Sequence, residues 1–384
     1  MRPLHSTLAA GLVAALVSHP AVAIDFDTQD YKVRVTPVVE GLVNPWSVAF
    51  LPDGRMLVTE RRGTLRIVEN GKLLANAIEG IPKSTEHGQG GLLDVQPHPK
   101  YAENGWIYWS YNGVENGQHG TELARGKLGG TKEQPRMTDV QILFKLAPKG
   151  PTAHHFGSRI VFDKQGFLFL TLGDRGDSSS KGAEQRAQKL DDNAGKSIRL
   201  TDDGKVPADN PFVKTPGAKP EIFTYGNRNM QGAALNPESG KVWTHEHGPQ
   251  GGDEVNILEG GKNYGWPVVT YGANYGSGTK IGEGTNKEGM VAPRWYWVPS
   301  IAPSGMAFYS GRNFPKWKGN LLVGALAKQK LVRLTLDGDK VTKQEDLFEG
   351  KLGRIRDVRE GPDGNIYLLT DEAKGALIRV ERVK

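Results

Sequence analysis

The sequence predicts an all-β protein, a six-bladed β-propeller of four-stranded antiparallel blades. Three observations carry this. Glycine is abundant, with 50 in 384 residues, about twice the usual share near 7 per cent. A single turn-and-strand pattern recurs six times. Helical periodicity is poor almost everywhere, and residues 183–191 are the one modest helical stretch.

Residues 1–23 read as a secretory leader. Arg2 precedes an apolar run from Leu8 to Val17, and Ala21-Val22-Ala23 supplies an A-x-A cleavage site. The run is too short to span a bilayer; a buried N-terminal helix is the alternative. Cleavage after Ala23 leaves residues 24–384 as a single propeller domain, secreted or, in a bacterium, periplasmic. No later segment is long and apolar enough to cross a membrane.

Within that domain a short apolar stretch leads into a Pro/Asp/Asn turn, a glycine and an alternating apolar strand. The glycines are 54, 105, 166, 240, 319 and 364. The strands that follow begin at Met56, Trp106, Phe167, Val242, Leu321 and Ile366. Each unit reads as a hairpin whose turn needs positive φ at glycine. About 60 residues per unit holds four short strands with loops, which is a propeller blade. The spacing varies from 45 to 79 residues, so long insertions separate some strands. They should gather on one face and build the site. A β-sandwich, the rival fold, predicts fewer strands and no sixfold recurrence.

Composition excludes several functions. Cysteine is absent, so there is no disulfide framework, Cys-ligated metal or C-x-x-C-H haem. The 49 Lys and Arg against 43 Asp and Glu leave only +6. With no block of five like charges, nucleic acid is not an expected partner. Neither a P-loop nor a dinucleotide G-x-G-x-x-G occurs.

Four polar clusters could carry chemistry. His154-His155 precede the third strand unit, and a histidine at a blade mouth can act as a general base. Asp174 follows His155 by 19 residues. One strand out and one back would return it to the same end, where a carboxylate can fix the imidazole tautomer. A structural histidine bonded to a turn is the other reading. His245 and His247 share one face of a strand, but no third ligand at zinc spacing is evident. Asp253-Glu254 with Asn263-Tyr264-Gly265-Trp266-Pro267 forms a carboxylate-rich, bendable loop suited to calcium, or an ordinary solvated turn. Arg354 and Arg356 alternate, so their guanidinium groups share a face. An anionic ligand between them would relieve their repulsion; a solvated basic edge strand is the alternative.

Taken in order, these segments resemble the soluble quinoprotein aldose sugar dehydrogenases, the glucose/sorbosone dehydrogenase family. The likeness covers nearly all of residues 35–382. It rests on Gln89-Gly90-Gly91-Leu92-Leu93, the His155 segment, 171–176, 226–232, Gly248-Pro249 with Asp253-Glu254, 263–267 and 354–358. The resemblance implies pyrroloquinoline quinone (PQQ) and calcium (Ca2+) as cofactors. By it, His155 is the catalytic base and Asp174 its orienting partner. Gln89 and Arg228 contact substrate or quinone carbonyls, Asn229 holds PQQ, and Arg354 and Arg356 grip its carboxylates. The carbonyls of Gly248 and Pro249 bind one calcium, while Glu254 and the carbonyl of Tyr264 bind a structural one. Two positions depart from the family pattern. His154 stands where Asp or Asn is common. Ala327 stands where a PQQ-binding lysine belongs, with Lys328 next door as the substitute.

The implied reaction oxidises the anomeric carbon of an aldose mono- or disaccharide to a lactone. Electrons pass to an external acceptor, whether cytochrome, quinone or dye, because the chain has no relay of its own. A monomer is the default state. A calcium-dependent propeller lactonase and a non-catalytic binding propeller are the alternatives.

Overall fold

A computed structural model describes residues 23–176 and 182–383. The leader expected over residues 1–23 lies outside them, apart from Ala23. Among the described residues six antiparallel sheets form a six-bladed propeller. Blade I pairs Pro45–Phe50, Met56–Glu60, Thr64–Glu69 and Lys72–Leu73 in chain order. Blades II to V repeat this meander over residues 92–145, 160–225, 230–297 and 303–347.

Blade VI differs. The chain's end supplies only Ile355–Glu360, Ile366–Thr370 and Gly375–Arg382. The N-terminal Lys32–Leu42 completes it, and Ile24–Asp27 adds a fifth strand. Four of these strands make the expected four-stranded blade, and Ile24–Asp27 lies at its outer edge. The sixfold repeat could not reveal it, because the closing strands precede the first repeat.

All six turn glycines have φ between 70° and 89°, a left-handed conformation that costs glycine little. The strands after them are the second strands of the six blades. The predicted helical stretch instead forms two 3-10 turns, Gly182–Glu184 and Arg186–Gln188. Gln185 lies between them with ψ 144°, and its side chain caps the second turn at the Ala187 N–H. That extended backbone interrupts any longer helix.

Every blade interface has its own apolar cluster. Leu57, Leu65, Val95 and Trp109 join blades I and II. Leu331, Ile355, Ile366 and Leu368 join V and VI, while Val48, Val58, Leu369 and Leu377 close VI onto I. A strand packed on both faces reads as continuously apolar, as in Leu321–Ala325, where every residue is buried.

The first strands of the blades line the axis, each touching its neighbours around the ring. Along them runs a buried ion network. Arg159 of blade III reaches Asp94 of blade II at 3.3 Å and Asp357 of blade VI at 2.9 Å. Arg359 reaches the same two carboxylates at 2.8 and 2.9 Å. Ser47 of blade I donates to Asp94 at 2.6 Å. Arg159 also donates to the Gln231 carbonyl of blade IV at 2.8 Å. This network fixes the azimuth of the blades whose loops carry the site.

Candidate active site

The insertions meet at one cavity of about 720 Å3, lined by Gln89, His154, His155, Asp174, Gln185, Arg228, Pro249, Trp266 and the 274–282 loop, among others. Its residues come from the loops between blades I and II and between II and III, from within blade III, from the III–IV loop and from blade IV. The expected gathering on one face is therefore observed, although the 201–221 insertion does not line this cavity.

His155 is placed by its backbone. Its φ is +54°, uncommon for a residue with a Cβ. The conformation is locked on three sides. The His155 N–H donates to Gln89 Oε1 at 2.8 Å, and Arg175 donates to the carbonyls of His154 and His155 at 2.7 and 3.2 Å. Gly173 lies directly beneath: a Cβ there would stand 2.2 Å from the His155 oxygen. Only glycine allows that approach.

His155 Nδ1 lies 2.6 Å from Asp174 Oδ1. Asp174 also accepts from Gly176 N, Gln185 Nε2 and Trp266 Nε1, the last at 2.7 Å. Burial opposes its charge, but His155, these donors and Arg228 hold the carboxyl below the usual carboxylate range. A carboxylate acceptor makes Nδ1 the protonated nitrogen and leaves Nε2 free to accept. Burial, opposed by Asp174 and assisted by Arg228, pushes the His155 imidazole below its ordinary value. The ring is thus neutral near pH 7. His154, 6.2 Å away ring to ring, pushes it in the same direction when charged.

Arg228 is buried with Nη1 donating to the carbonyls of His247 and Gly248 at 3.0 and 2.7 Å. Its backbone N–H is held by Glu246. The residues expected to hold PQQ divide here. Gln89 and Arg228 line the cavity; Asn229, Arg354, Arg356 and Lys328 do not. Asn229 lies buried behind it, linked through Gln231 to Arg356 at 3.2 and 3.3 Å. The two arginines have an anion between them, and it is the chain's own Asp371, 2.6 Å from Arg356 and 3.7 Å from Arg354. Lys328 is exposed, with φ +64°.

Gly248, Glu254 and Tyr264 line a second cavity of about 10 Å3, together with Glu246. That is room for one water-sized occupant. Burial raises Glu246 to about 7 and, with Glu246 beside it, raises Glu254 well above the carboxylate range. Two buried carboxylates and nearby carbonyls are a hard-cation donor set. Among the described residues no cluster of three His, Cys, Asp or Glu could hold a metal. His247 Nε2 lies 2.6 Å from the Pro303 carbonyl.

Sequence reasoning missed Glu246, Asp371, Gln185 and the role of Trp266. A signal existed for the first two. Glu246 ends the second strand of blade IV, and Asp371 directly follows that of blade VI. Asp174 stands three residues past the equivalent strand of blade III. The shared signal is a carboxylate at, or within three residues past, the end of a second strand, and not one aligned position.

The chain is 46% identical over 352 residues to the aldose sugar dehydrogenase YliI of Escherichia coli, covering 91% of this chain and 92% of that protein. The crystal structure of the soluble E. coli aldose sugar dehydrogenase in its apo-form superposes with a TM-score of 0.86 at 45% identity, covering 91% of this chain and all of that one. The PQQ-bound aldose sugar dehydrogenase of Streptomyces coelicolor gives a TM-score of 0.72 at 26% identity, covering 91% and 99%. The sequence model of glucose/sorbosone dehydrogenases matches residues 42–379. With six blades, a His–Asp pair at their loops and this match along nearly its whole length, the chain belongs to the glucose/sorbosone dehydrogenase family.

Proposed function

We propose that the protein is a periplasmic aldose dehydrogenase that oxidises the anomeric carbon of sugars to lactones, using PQQ and an external electron acceptor. The observation that carries this is the His155 imidazole tied at Nδ1 to Asp174 on the wall of the 720 Å3 cavity. Nε2 takes the proton of the anomeric hydroxyl. Asp174 holds the ring in the tautomer that permits this and stabilises the imidazolium that forms. PQQ, when bound, supplies the two-electron acceptor for the hydride that leaves the anomeric carbon. Arg228 places a fixed positive charge at the cavity wall, a preorganised donor for developing negative charge.

The residues suit such a ligand. The cavity falls within the roughly 300–1,000 Å3 common for small-molecule sites. Nε of Arg228, Nε of Arg356 and Nδ2 of Asn229 are buried without partners among the described residues, which fits an acceptor-rich anion. Gln89 and Arg228, on the cavity wall, would hold it; Asn229, Arg354, Arg356 and Lys328 do not line the cavity and are its partners only by the family resemblance. Asp371 already engages both arginines and would share them. Glu254, the Tyr264 carbonyl and Glu246 would hold a structural calcium. The Gly248 carbonyl does not fit the other calcium while Arg228 donates to it at 2.7 Å, so no step is assigned to that ion.

The test is dye reduction by purified protein with glucose, PQQ and calcium, set beside lactone hydrolysis without PQQ. PQQ-dependent dye reduction is expected. Hydrolysis without PQQ, and no dye reduction with it, would replace the dehydrogenase by the calcium lactonase.

A further inference from the structure

Trp266 belongs to blade IV, yet its side chain reaches the His155–Asp174 pair of blade III, and the reaction above gives it no part. Its indole N–H donates to Asp174 Oδ2 at 2.7 Å. His155 uses the other oxygen, its Nδ1 standing 2.6 Å from Oδ1. Gly176 N–H adds a bond to Oδ1 at 2.8 Å, and Gln185 Nε2 one to Oδ2 at 3.1 Å. Both carboxylate oxygens are thus engaged, which fixes the plane of the group. The guanidinium carbon of Arg228 lies over the same indole, 5.2 Å from the ring centroid. An aromatic ring is negative on its face and positive at its edge. This one meets an anion with its edge and a cation with its face. Arg228 and Trp266 line both the 720 Å3 cavity and the small one beside Glu246 and Glu254.

The 263–267 loop is built to hold the ring there. Trp266 N–H donates to the Gly226 carbonyl and Tyr264 N–H to the Tyr225 carbonyl, both at 2.8 Å. The Trp266 carbonyl accepts from Gln188 Nε2 at 2.7 Å, and Asn263 Nδ2 donates to Gln188 Oε1 at 2.7 Å. A Cβ at residue 226 would stand 2.1 Å from Asn263 Oδ1, so a glycine there lets the loop close on blade III. Gln185 and Gln188 flank a single turn. One short stretch therefore braces both Asp174 and the loop that carries its indole donor.

We infer that Trp266 is a positioning residue for the base, the third group of a His155–Asp174–Trp266 chain, and that its N–H keeps Asp174 ionised, in plane and partly compensated. Tryptophan donates and cannot accept. It bonds the ionised carboxylate and takes no part in moving the proton that His155 receives. A hydrogen bond to the charged form of a group favours that form, so the indole opposes transfer of the Nδ1 proton to Asp174. It also offsets part of the carboxylate charge seen by the imidazole. His155 is therefore less basic than an uncompensated Asp174 would make it. The other charged or titratable groups facing the pair are His154, Arg175, Lys196, Arg228 and His247. Trp266→Phe leaves all of them in the chain and removes only the indole donor.

The inference rests on the dehydrogenase reading for its place in the reaction, and the test separates the two. In apo-protein the His155 ring is titrated and the Trp266 indole N–H followed by NMR. In protein loaded with PQQ and calcium, kcat/KM for glucose is measured against pH. Trp266→Phe should raise the His155 titration point and the midpoint of the acid limb, and lower the plateau about tenfold as the carboxylate loses its alignment. Asp174→Asn, which removes the charge outright, should move both points the other way. In the Asp174→Asn background Trp266→Phe should add no rise, because the indole acts through the carboxylate. A rise that persists there is an effect of solvent access and overturns the inference. A midpoint that stays or falls in Trp266→Phe, whatever the loss of rate, makes the indole a plain wall and overturns it too. Should Trp266→Phe not fold, the indole signal decides. An upfield move in Asp174→Asn supports the chain, and a signal indifferent to that change refutes it. Wild-type protein that is inert on glucose with PQQ bound defeats the dehydrogenase reading, and the apo-protein titration then decides the chain alone.

Discussion

A base that takes a proton near neutral pH must be uncharged before turnover. Burial gives His155 that state by pushing its imidazole below the ordinary value, while Asp174 limits the drop. The sign follows. As pH falls through this lowered value the base gains a proton and activity is lost; above it activity is at its plateau. The acid limb of kcat/KM for glucose should thus have its midpoint below 6.5, the usual histidine value. Asp174→Asn should move that midpoint lower still and reduce the plateau by about 10²-fold or more. A midpoint above 6.5, or an upward move in the variant, contradicts the pairing. The His155–Asp174 pair was legible because a strand out and a strand back fix where residue 174 returns. Asp371 was not. Two alternating arginines announce that an anion lies between them, but not whether the chain or a ligand provides it.

Among elements, the hairpins were the most legible. Glycines 54, 105, 166, 240, 319 and 364 each occupy a left-handed position that a side chain resists, so composition and geometry coincide. The insertions were least legible, since loops are fixed by packing and not by period. The Glu246–Glu254 pair depends on contacts made across blade IV. That pair supports a prediction at this scale. Without a cation the buried pair avoids repulsion by keeping a proton on Glu254, and an ion bound there would stabilise the fold by about 2.7 kcal/mol when free calcium is about 100 times its Kd. Chelation should lower the thermal midpoint by a few degrees, calcium should restore it, and Glu254→Gln should abolish the response. A midpoint indifferent to chelator and calcium would show that the small cavity holds no ion.

At the scale of the whole molecule, the ring is held in two ways. Its closure is made by Lys32–Leu42 pairing with Gly375–Arg382, joining residues from opposite ends of the chain. Its axis is held by Arg159 and Arg359 between Asp94 and Asp357, all on first strands or the residue leading into one. The sixfold repeat foretold the ring. It could not foretell the strand that closes it, which lies before the first repeat, nor an axial network whose members stand far apart in sequence. Removing one partner of a buried pair leaves the other charge uncompensated, at a cost of about 3–5 kcal/mol. Arg159→Met should lower the urea midpoint accordingly, whereas breaking an exposed pair such as Lys205 with Asp203 should leave it nearly unchanged, because water screens both charges. An Arg159→Met protein as stable as the wild type would mean that the apolar interfaces alone hold the blades in place.

The most direct measurement is the turnover of His155→Ala loaded with PQQ and calcium, with PQQ binding followed separately by absorbance. A fall of at least about 10²-fold at unchanged PQQ affinity is predicted. A variant that binds PQQ and oxidises glucose at the wild-type rate would contradict the account at its centre.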